Sequence, residues 1–387
     1  MPELDALLSE LKGGDFQARW EAAKVLPQFG EAALEVLLRW LQDGVDEELE
    51  WFIIRILGEI HHPQSVVALV KVLETGEDDE LCLLATQALA RLGADQLQVL
   101  TNLLHAPQTR RYALRALSQI HHPQALEALL LVAQDPDPQI RVLTVEALSQ
   151  FRDSRVLPVL RAALGDDAAS VRGAAIAALG RHPNCDSDFV QKIYPHLQDI
   201  DLRVCQTTAL ALSRLGTPAA FQHLSACLVA PPTPAELRLS IIQALAYFNT
   251  PEVIDQFRSL LSASTLAPTS FDLPAMLEAM LKGIAQMRHP ETQAKAVFLL
   301  VDWLTSPQPE FQRLKPTIVN TLGQLGHPQA LPALMTLLAE PDLRLRLHVI
   351  AALKQIDSEG TYAQLQQQVD SSAPALQAGI KVALQEW

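Results

Sequence analysis

Apolar residues recur along this chain at helical spacing, in runs too short to stand alone. From Gln124 onward, Leu126, Leu129, Leu130 and Val132 fall on one helix face. The sequence DPDP at 135–138 stops that helix, and Ile140, Leu143, Ala147, Leu148 and Phe151 form the stripe of the next. RDSR then leads into VLPVLRAALGDD, and the pattern starts again. The spacing predicts two short antiparallel helices per unit, A and B, joined by a turn of a few residues. Neither helix buries its stripe without neighbours.

The units share a register. An Arg precedes a Leu by seven residues at Arg19/Leu26, Arg110/Leu117, Arg141/Leu148, Arg172/Leu179, Arg203/Leu210, Arg238/Leu245 and Arg346/Leu353. From Arg110 to Arg203 these Arg stand 31 residues apart. Carried through positions that lack Arg, the register reads Arg19, Glu50, Cys82, Arg110, Arg141, Arg172, Arg203, Arg238, Leu277, Lys315, Arg346 and Gln377. An aliphatic residue follows seven positions after each. About twelve units of roughly 31 residues consume the 387-residue chain, the mark of a stacked repeat protein.

Recurrent polar residues punctuate the units. Asp15, Asp46, Asp78, Asp137, Asp199 and Asp342 each precede a register position by four, and are expected to accept the first-turn N–H groups of helix B. The register Arg, one turn later, is expected to partner that same Asp. LGEIHHPQ (57–64), LSQIHHPQ (117–124), IAQMRHPE (284–291) and LGQLGHPQ (322–329) close helix B, which makes His62, His122, His289 and His327 expected stop signals. Metal binding would need these His to converge. His62 and His122 lie two repeats apart, about 20 Å if helices pack at roughly 10 Å.

Composition narrows the function classes. Apolar residues make up 49% and aromatics 5%, and the net charge is −14, which argues against nucleic acid. No run of about eighteen uncharged apolar residues occurs, and MPELDALLSELK does not read as a signal peptide; a cytoplasmic protein without a membrane partner is expected. The four Cys (82, 185, 205 and 227) form neither a disulfide framework nor paired CxxC. GxSxG, P-loop, GxGxxG and HExxH motifs are absent from the sequence, so no catalytic, cofactor or metal residue is assigned. Polar end units, including the Gln-rich 361–387, are expected to cap the array and leave a monomer.

The A helix of form ALxxLLxLLxD, the Pro/Asp turn and the B helix of form xxVRxxAAxALG resemble the HEAT repeat. Residues 139–180 and 343–356 are most similar to the short repeat named after the phycobilisome lyases. The resemblance covers nearly the whole chain. It implies an all-α fold, an α-solenoid forming a right-handed superhelix of about twelve two-helix repeats. The sequence divides into an N-terminal capping repeat (1–30), acidic repeats (31–93), regular repeats (94–248), repeats with longer turns (249–326), and C-terminal repeats with a cap (327–387). Among relatives of this kind, three functions are implied: a protein-binding scaffold or assembly factor, a bilin lyase subunit handling phycocyanobilin, and a partner of an IscA-type iron–sulfur assembly protein. No lyase motif maps onto particular residues here.

Departures from the repeat point to a site. Residues 31–80 carry thirteen acids and three bases, a net −10, and within them the register Arg gives way to Glu50 and Cys82. This suggests a docking surface for a basic protein, or a solvated edge. Three of the five Trp fall early, with Trp20 and Trp51 each following a register position and Trp40 between them. Extra residues fall in PPTP (231–234), STLAPTSFDLP (264–274) and WLTSPQPE (303–310), all expected as A–B turns. The candidate partner-binding residues are Trp20, Glu47, Glu48, Glu50, Trp51, Asp78, Asp79, Glu80, Arg111 and Phe271. The expected function is a non-catalytic protein-binding scaffold with an extended B-helix surface, acidic in its N-terminal third.

Overall fold

Asp side chains start many of the helices, and Pro at the first helical position starts many of the rest. A computed structural model describes residues 2–76, 78–182, 187–262, 273–370 and 372–387. It divides into two units, Met1–His182 and Pro183–Trp387. In the first, six hairpins follow one another: α1 (Pro2–Gly13) with α2 (Phe16–Val25), α3 (Glu31–Asp43) with α4 (Glu47–Leu57), and α5 (Pro63–Thr75) with α6 (Asp79–Arg91). Then come α7 (Leu97–Leu103) with α8 (Pro107–Gln119), α9 (Pro123–Leu131) with α10 (Pro138–Leu148), and α11 (Val156–Ala162) with α12 (Ala169–Leu179).

The second unit repeats the scheme: α13 (Ser187–Ile193) with α14 (Leu202–Leu215), α15 (Pro218–Val229) with α16 (Ala235–Ala246), and α17 (Pro251–Ser262) with α18 (Leu273–Ala285). After these come α19 (Pro290–Thr305) with α20 (Pro309–Leu325), then α21 (Leu331–Thr336), α22 (Leu343–Gln368) and α23 (Pro374–Glu386). At Asp357 the backbone of α22 leaves helical geometry (φ −158°, ψ 95°). Its first part is therefore the B helix of the eleventh hairpin, and its second part pairs with α23 as the twelfth. The fold is all-α, an α-solenoid of twelve hairpins, with no strand among the described residues.

Within each unit the even-numbered B helices pack on one another in sequence. Small residues permit the close approach: a Cβ on Gly58 of α4's end would lie 2.6 Å from the Ala88 Cβ of α6. Fully buried Leu57, Leu89, Leu117, Leu148 and Leu179, one per B helix, form the recurring part of the core.

The register residue is the fourth residue of every B helix. Observed in this way, the series is Arg19, Glu50, Cys82, Arg110, Arg141, Arg172, Cys205, Arg238, Met276, Gln312, Arg346 and Gln377. Three expected members shift: Arg203, Leu277 and Lys315 are the second, fifth and seventh residues of their helices. The cause is at the turn. Asp201, not Asp199, caps α14 by accepting the Arg203 N–H at 2.8 Å, while Asp199 accepts the Asp201 N–H at 2.9 Å. Burial agrees, because Leu210 is 38% exposed whereas Leu212 is fully buried.

The register side chain reaches back to its own A–B turn. Arg110 Nε donates to Leu104 O at 2.6 Å, Arg141 Nη1 to Asp135 O at 2.8 Å, Arg172 Nη1 to Asp166 O at 2.8 Å and Gln312 Nε2 to Ser306 O at 2.5 Å. In each case the acceptor is six residues earlier, and Cys205 Sγ makes the same contact with Asp199 O at 3.2 Å. The acidic partner also differs from expectation. The Asp four residues before the register position caps backbone, and the Arg bonds the turn of the following hairpin: Arg110 to Asp135 at 2.5 Å, Arg141 to Asp166 at 2.7 Å, Arg19 to Glu48 at 2.9 Å and to Asp46 at 3.4 Å. A guanidinium carries enough donors for both tasks.

Two further expectations are corrected. His62, His122 and His327 start the next helix rather than end the last: each Nδ1 accepts an N–H two residues on, from Gln64, Gln124 and Gln329, at 3.2, 3.2 and 3.4 Å. His289 holds the same capping position without a side-chain bond. The following Pro sits in the first turn, where its missing N–H costs nothing. The extra residues near 303–310 lengthen α19 and α20 to 16 and 17 residues, leaving 306–308 as the turn. The 231–234 segment is a turn as expected, held by Arg238 Nη2 on Ala230 O at 3.0 Å. Phe271 and Cys185 lie outside the described residues.

Candidate functional site

Residues four apart on a helix share a face. The first, fifth and ninth residues of the B helices point away from their A helices and give the first four hairpins their outer surface. They read Phe16, Trp20 and Lys24 on α2; Glu47, Trp51 and Arg55 on α4; Asp79, Leu83 and Gln87 on α6; Pro107, Arg111 and Arg115 on α8.

An aromatic cluster joins the first two hairpins on this face. Trp20 and Trp51 stack with centroids 6.2 Å apart at 22°, and Phe16 stacks on Trp20 at 6.0 Å and 20°. Phe52, fully buried, meets Trp51 edge-on at 5.1 Å and anchors the cluster to the core. Phe16 is 58% exposed, while the two Trp are half-buried. The Arg55 guanidinium lies 4.4 Å from the Trp20 ring centre and 5.9 Å from that of Trp51. Lys24 stands 5.9 Å from Trp20, and pairs with Glu21 at 3.0 Å. Such rings offer a large rigid contact area at small entropic cost.

The third and fourth hairpins are joined by a polar cluster. Buried Tyr112 donates its hydroxyl to Asp79 at 2.7 Å, and Arg111 bonds both Asp79 and the Tyr112 hydroxyl. Burial, then the bond given to Asp79, pushes the Tyr112 phenol up to about 12. The Tyr112 hydroxyl and the Arg111 charge hold Asp79 below the usual carboxylate range.

The expected acidic residues are only partly gathered on this face. Asp46 and Asp78 cap helices, Glu48 bonds Arg19, and Asp79 is held by Arg111 and Tyr112. Glu50 turns toward the A side, lining a groove of about 400 Å³ between α3 and α5 with Leu38, Leu41, Val67 and Lys71. Glu31 reaches His62 at 3.4 Å. Glu47 and Glu80 remain exposed at the starts of α4 and α6. The structure thus brings Trp20 and Trp51 together, and Asp79 with Arg111, and separates Glu50 from both. Sequence reasoning passed over Phe16, Arg55 and Tyr112; the four-residue step from Trp20 and Trp51 was the available signal.

No group of three His, Cys, Asp or Glu among the described residues is placed to hold a metal. Burial raises the thiols of Cys82, Cys205 and Cys227, which disfavours the nucleophilic thiolate. Among the described residues no helix is long and apolar enough to cross a membrane.

A family model for HEAT repeats matches residues 4–90, 97–180 and 297–385. The chain belongs to the HEAT-repeat family. Comparison with curated proteins gave no match. Among solved structures, this HEAT-repeat chain is similar to Kap95 in its complex with Nup1 (TM-score 0.64, 10% identity, 99% of this chain and 60% of that one). It is also similar to Kap121p (TM-score 0.59, 16% identity, 95% of this chain and 47% of that one). The chain therefore spans about half to three fifths of these neighbours. The phycocyanin lyase CpcE–CpcF complex from Nostoc sp. aligns at a TM-score of 0.34 and 18% identity, over 67% of this chain and 94% of that one. That likeness is too slight to support an argument about function. The karyopherin likenesses, at such identities, show the fold alone.

Proposed function

We propose that this chain is a non-catalytic scaffold that binds another protein through the B-helix face of its first four hairpins, centred on Trp20 and Trp51. One observation carries the reading: two stacked, half-buried Trp, with exposed Phe16 beside them, occupy positions that elsewhere on the B helices hold residues such as Leu83, Val142 and Gly173. Aromatic and Arg side chains of this kind dominate protein interfaces because they desolvate a large area without much loss of rotamer freedom. The fold favours it too, since Kap95, which shares the architecture, was solved in complex with Nup1. The function needs no cofactor, and the chain acts in the cytoplasm as a monomer. The aromatic centre replaces the acidic patch as the focus, because Asp46, Glu48, Asp78 and Asp79 already serve turns and neighbouring side chains.

The test is affinity purification from the native host with wild type and with Trp20→Ala/Trp51→Ala. Loss of a partner from the variant, with helicity by circular dichroism unchanged, is the expected result. A partner retained at wild-type level by the folded variant refutes the assignment of this face.

A further inference from the structure

The same face carries a row of cations beside its aromatic centre. Lys24, Arg55 and Arg115 are the ninth residues of α2, α4 and α8, and Arg91, one turn beyond Gln87, continues the row on α6. Lys24, Arg91 and Arg115 are exposed and Arg55 half-buried. Arg55, Arg91 and Arg115 form no ion pair among the described residues, although acids outnumber bases 44 to 30 in the chain. Arg115 also lines a groove of about 560 Å³ between α8 and α10, with Ser118, Gln119 and Gln150. Of the exposed acids of α4 and α6, Glu47 opens its helix two turns before Arg55, whereas Asp79 lies within electrostatic reach of Arg115 as well as Arg111. Glu59 follows the end of α4, and Glu146 closes the row at the fifth hairpin.

We infer that this row receives an acidic, extended peptide segment of the partner, running across the B helices with a carboxylate at every third residue. The inference rests on the B-face reading above and names the partner's chemistry. Spacing carries it. Packed helices stand about 8–10 Å apart, so cations on neighbouring helices are offered at about that interval, with Arg91 displaced one turn along its helix. A polyproline II strand rises about 3.1 Å per residue with three residues per turn, which returns a side chain to the same side every ~9 Å. A β-strand alternates sides and brings every third residue to the wrong face. Carboxylates at i, i+3, i+6 and i+9 therefore meet Lys24, Arg55, Arg91 and Arg115 in turn. The residue that follows the first or second carboxylate brings an apolar side chain onto Trp20 and Trp51. Arg55, stacked on Trp20, keeps its N–H edges for a carboxylate. Nucleic acid offers phosphates too, and single-stranded DNA is therefore a comparison in the test.

Fluorescence anisotropy with the full chain tests the inference. The probe is a labelled peptide with four Glu, each separated from the next by two Pro. A peptide of identical composition with its Glu contiguous, and a mixed-sequence single-stranded DNA, are the comparisons. The spaced peptide is expected to bind best and to weaken as salt rises to physiological strength. Arg55→Gln/Arg115→Gln is expected to lose on the order of threefold to tenfold in affinity for it, with helicity unchanged. Equal binding of the two peptides, preference for DNA, no detectable peptide binding, or an unchanged affinity of the variant each overturns the inference. If the peptide fails while a native partner is still lost on Trp20→Ala/Trp51→Ala, only the acidic-segment inference falls; if both fail, the B-face reading falls with it.

Discussion

The link between Arg141 and Asp166 is the clearest quantitative test of how the hairpins are joined. Arg141 Nε and Nη2 each meet a carboxylate oxygen of Asp166 at 2.7 Å, a bidentate pair, while Nη1 bonds Asp135 O and Pro136 O at 2.8 and 3.0 Å. The two side chains are 17% and 14% exposed. Breaking a fully buried ion pair costs ~3–5 kcal/mol and an exposed one under about 1. This pair lies nearer the buried limit but keeps some water, so Arg141→Met should destabilise by about 2–3 kcal/mol. Asp166 also accepts the Ala168 N–H at 2.9 Å, so Asp166→Asn should cost less, because an amide oxygen still serves that turn. In a double-mutant cycle the coupling should reach about 1–2 kcal/mol. Long arrays depart from two-state unfolding, so urea melts are to be paired with hydrogen exchange, with lost protection concentrated in 124–180. Arg155→Met is the control, since its pairs with Asp153, two residues away, and with Glu127 at 3.6 Å are both far more exposed; it should change stability much less than Arg141→Met. A coupling near zero, or equal effects of Arg141→Met and Arg155→Met, would refute the inter-hairpin role.

Three other outcomes follow from the geometry. His122→Ala should cost about 1 kcal/mol and deprotect α9, whereas His122→Asn, which restores an acceptor, should recover most of it, read by hydrogen exchange of 123–131. Tyr112, raised to about 12, disfavours the phenolate in the folded chain; its stability contribution is complete below pH 10 and is lost as pH climbs from about 10 to about 12. Urea midpoints of wild type and Tyr112→Phe should therefore converge over that window, and parallel curves would contradict the assignment. Gly58→Leu should cost about 1–3 kcal/mol by overpacking against Ala88, and Ala88→Gly should relieve part of it; thermal melts that show no such relief would refute the close approach.

The sequence by itself determined the fold class, the twelve hairpins and most helix starts, because these depend on local chemistry: apolar stripes at helical spacing, Asp before a first turn, Pro at a first position. The same local logic misplaced Arg203, Leu277 and Lys315. A change of one to three residues in where helix B starts slides the register without disturbing the periodicity, and only burial separates Leu210 from Leu212. It also paired each Arg with its nearest Asp. Tertiary structure decided otherwise, since a guanidinium six residues past a turn reaches that turn's carbonyls and, through stacking, the carboxylate about 25 residues on. The candidate site was half legible. Trp20 and Trp51 stood out as departures from an aliphatic position, but their stacking, the arrival of Phe16 and Arg55, and the dispersal of the acids into caps and bridges come from apposing helices roughly thirty residues apart. Distances across a stack are set by packing, and no spacing along one helix encodes them.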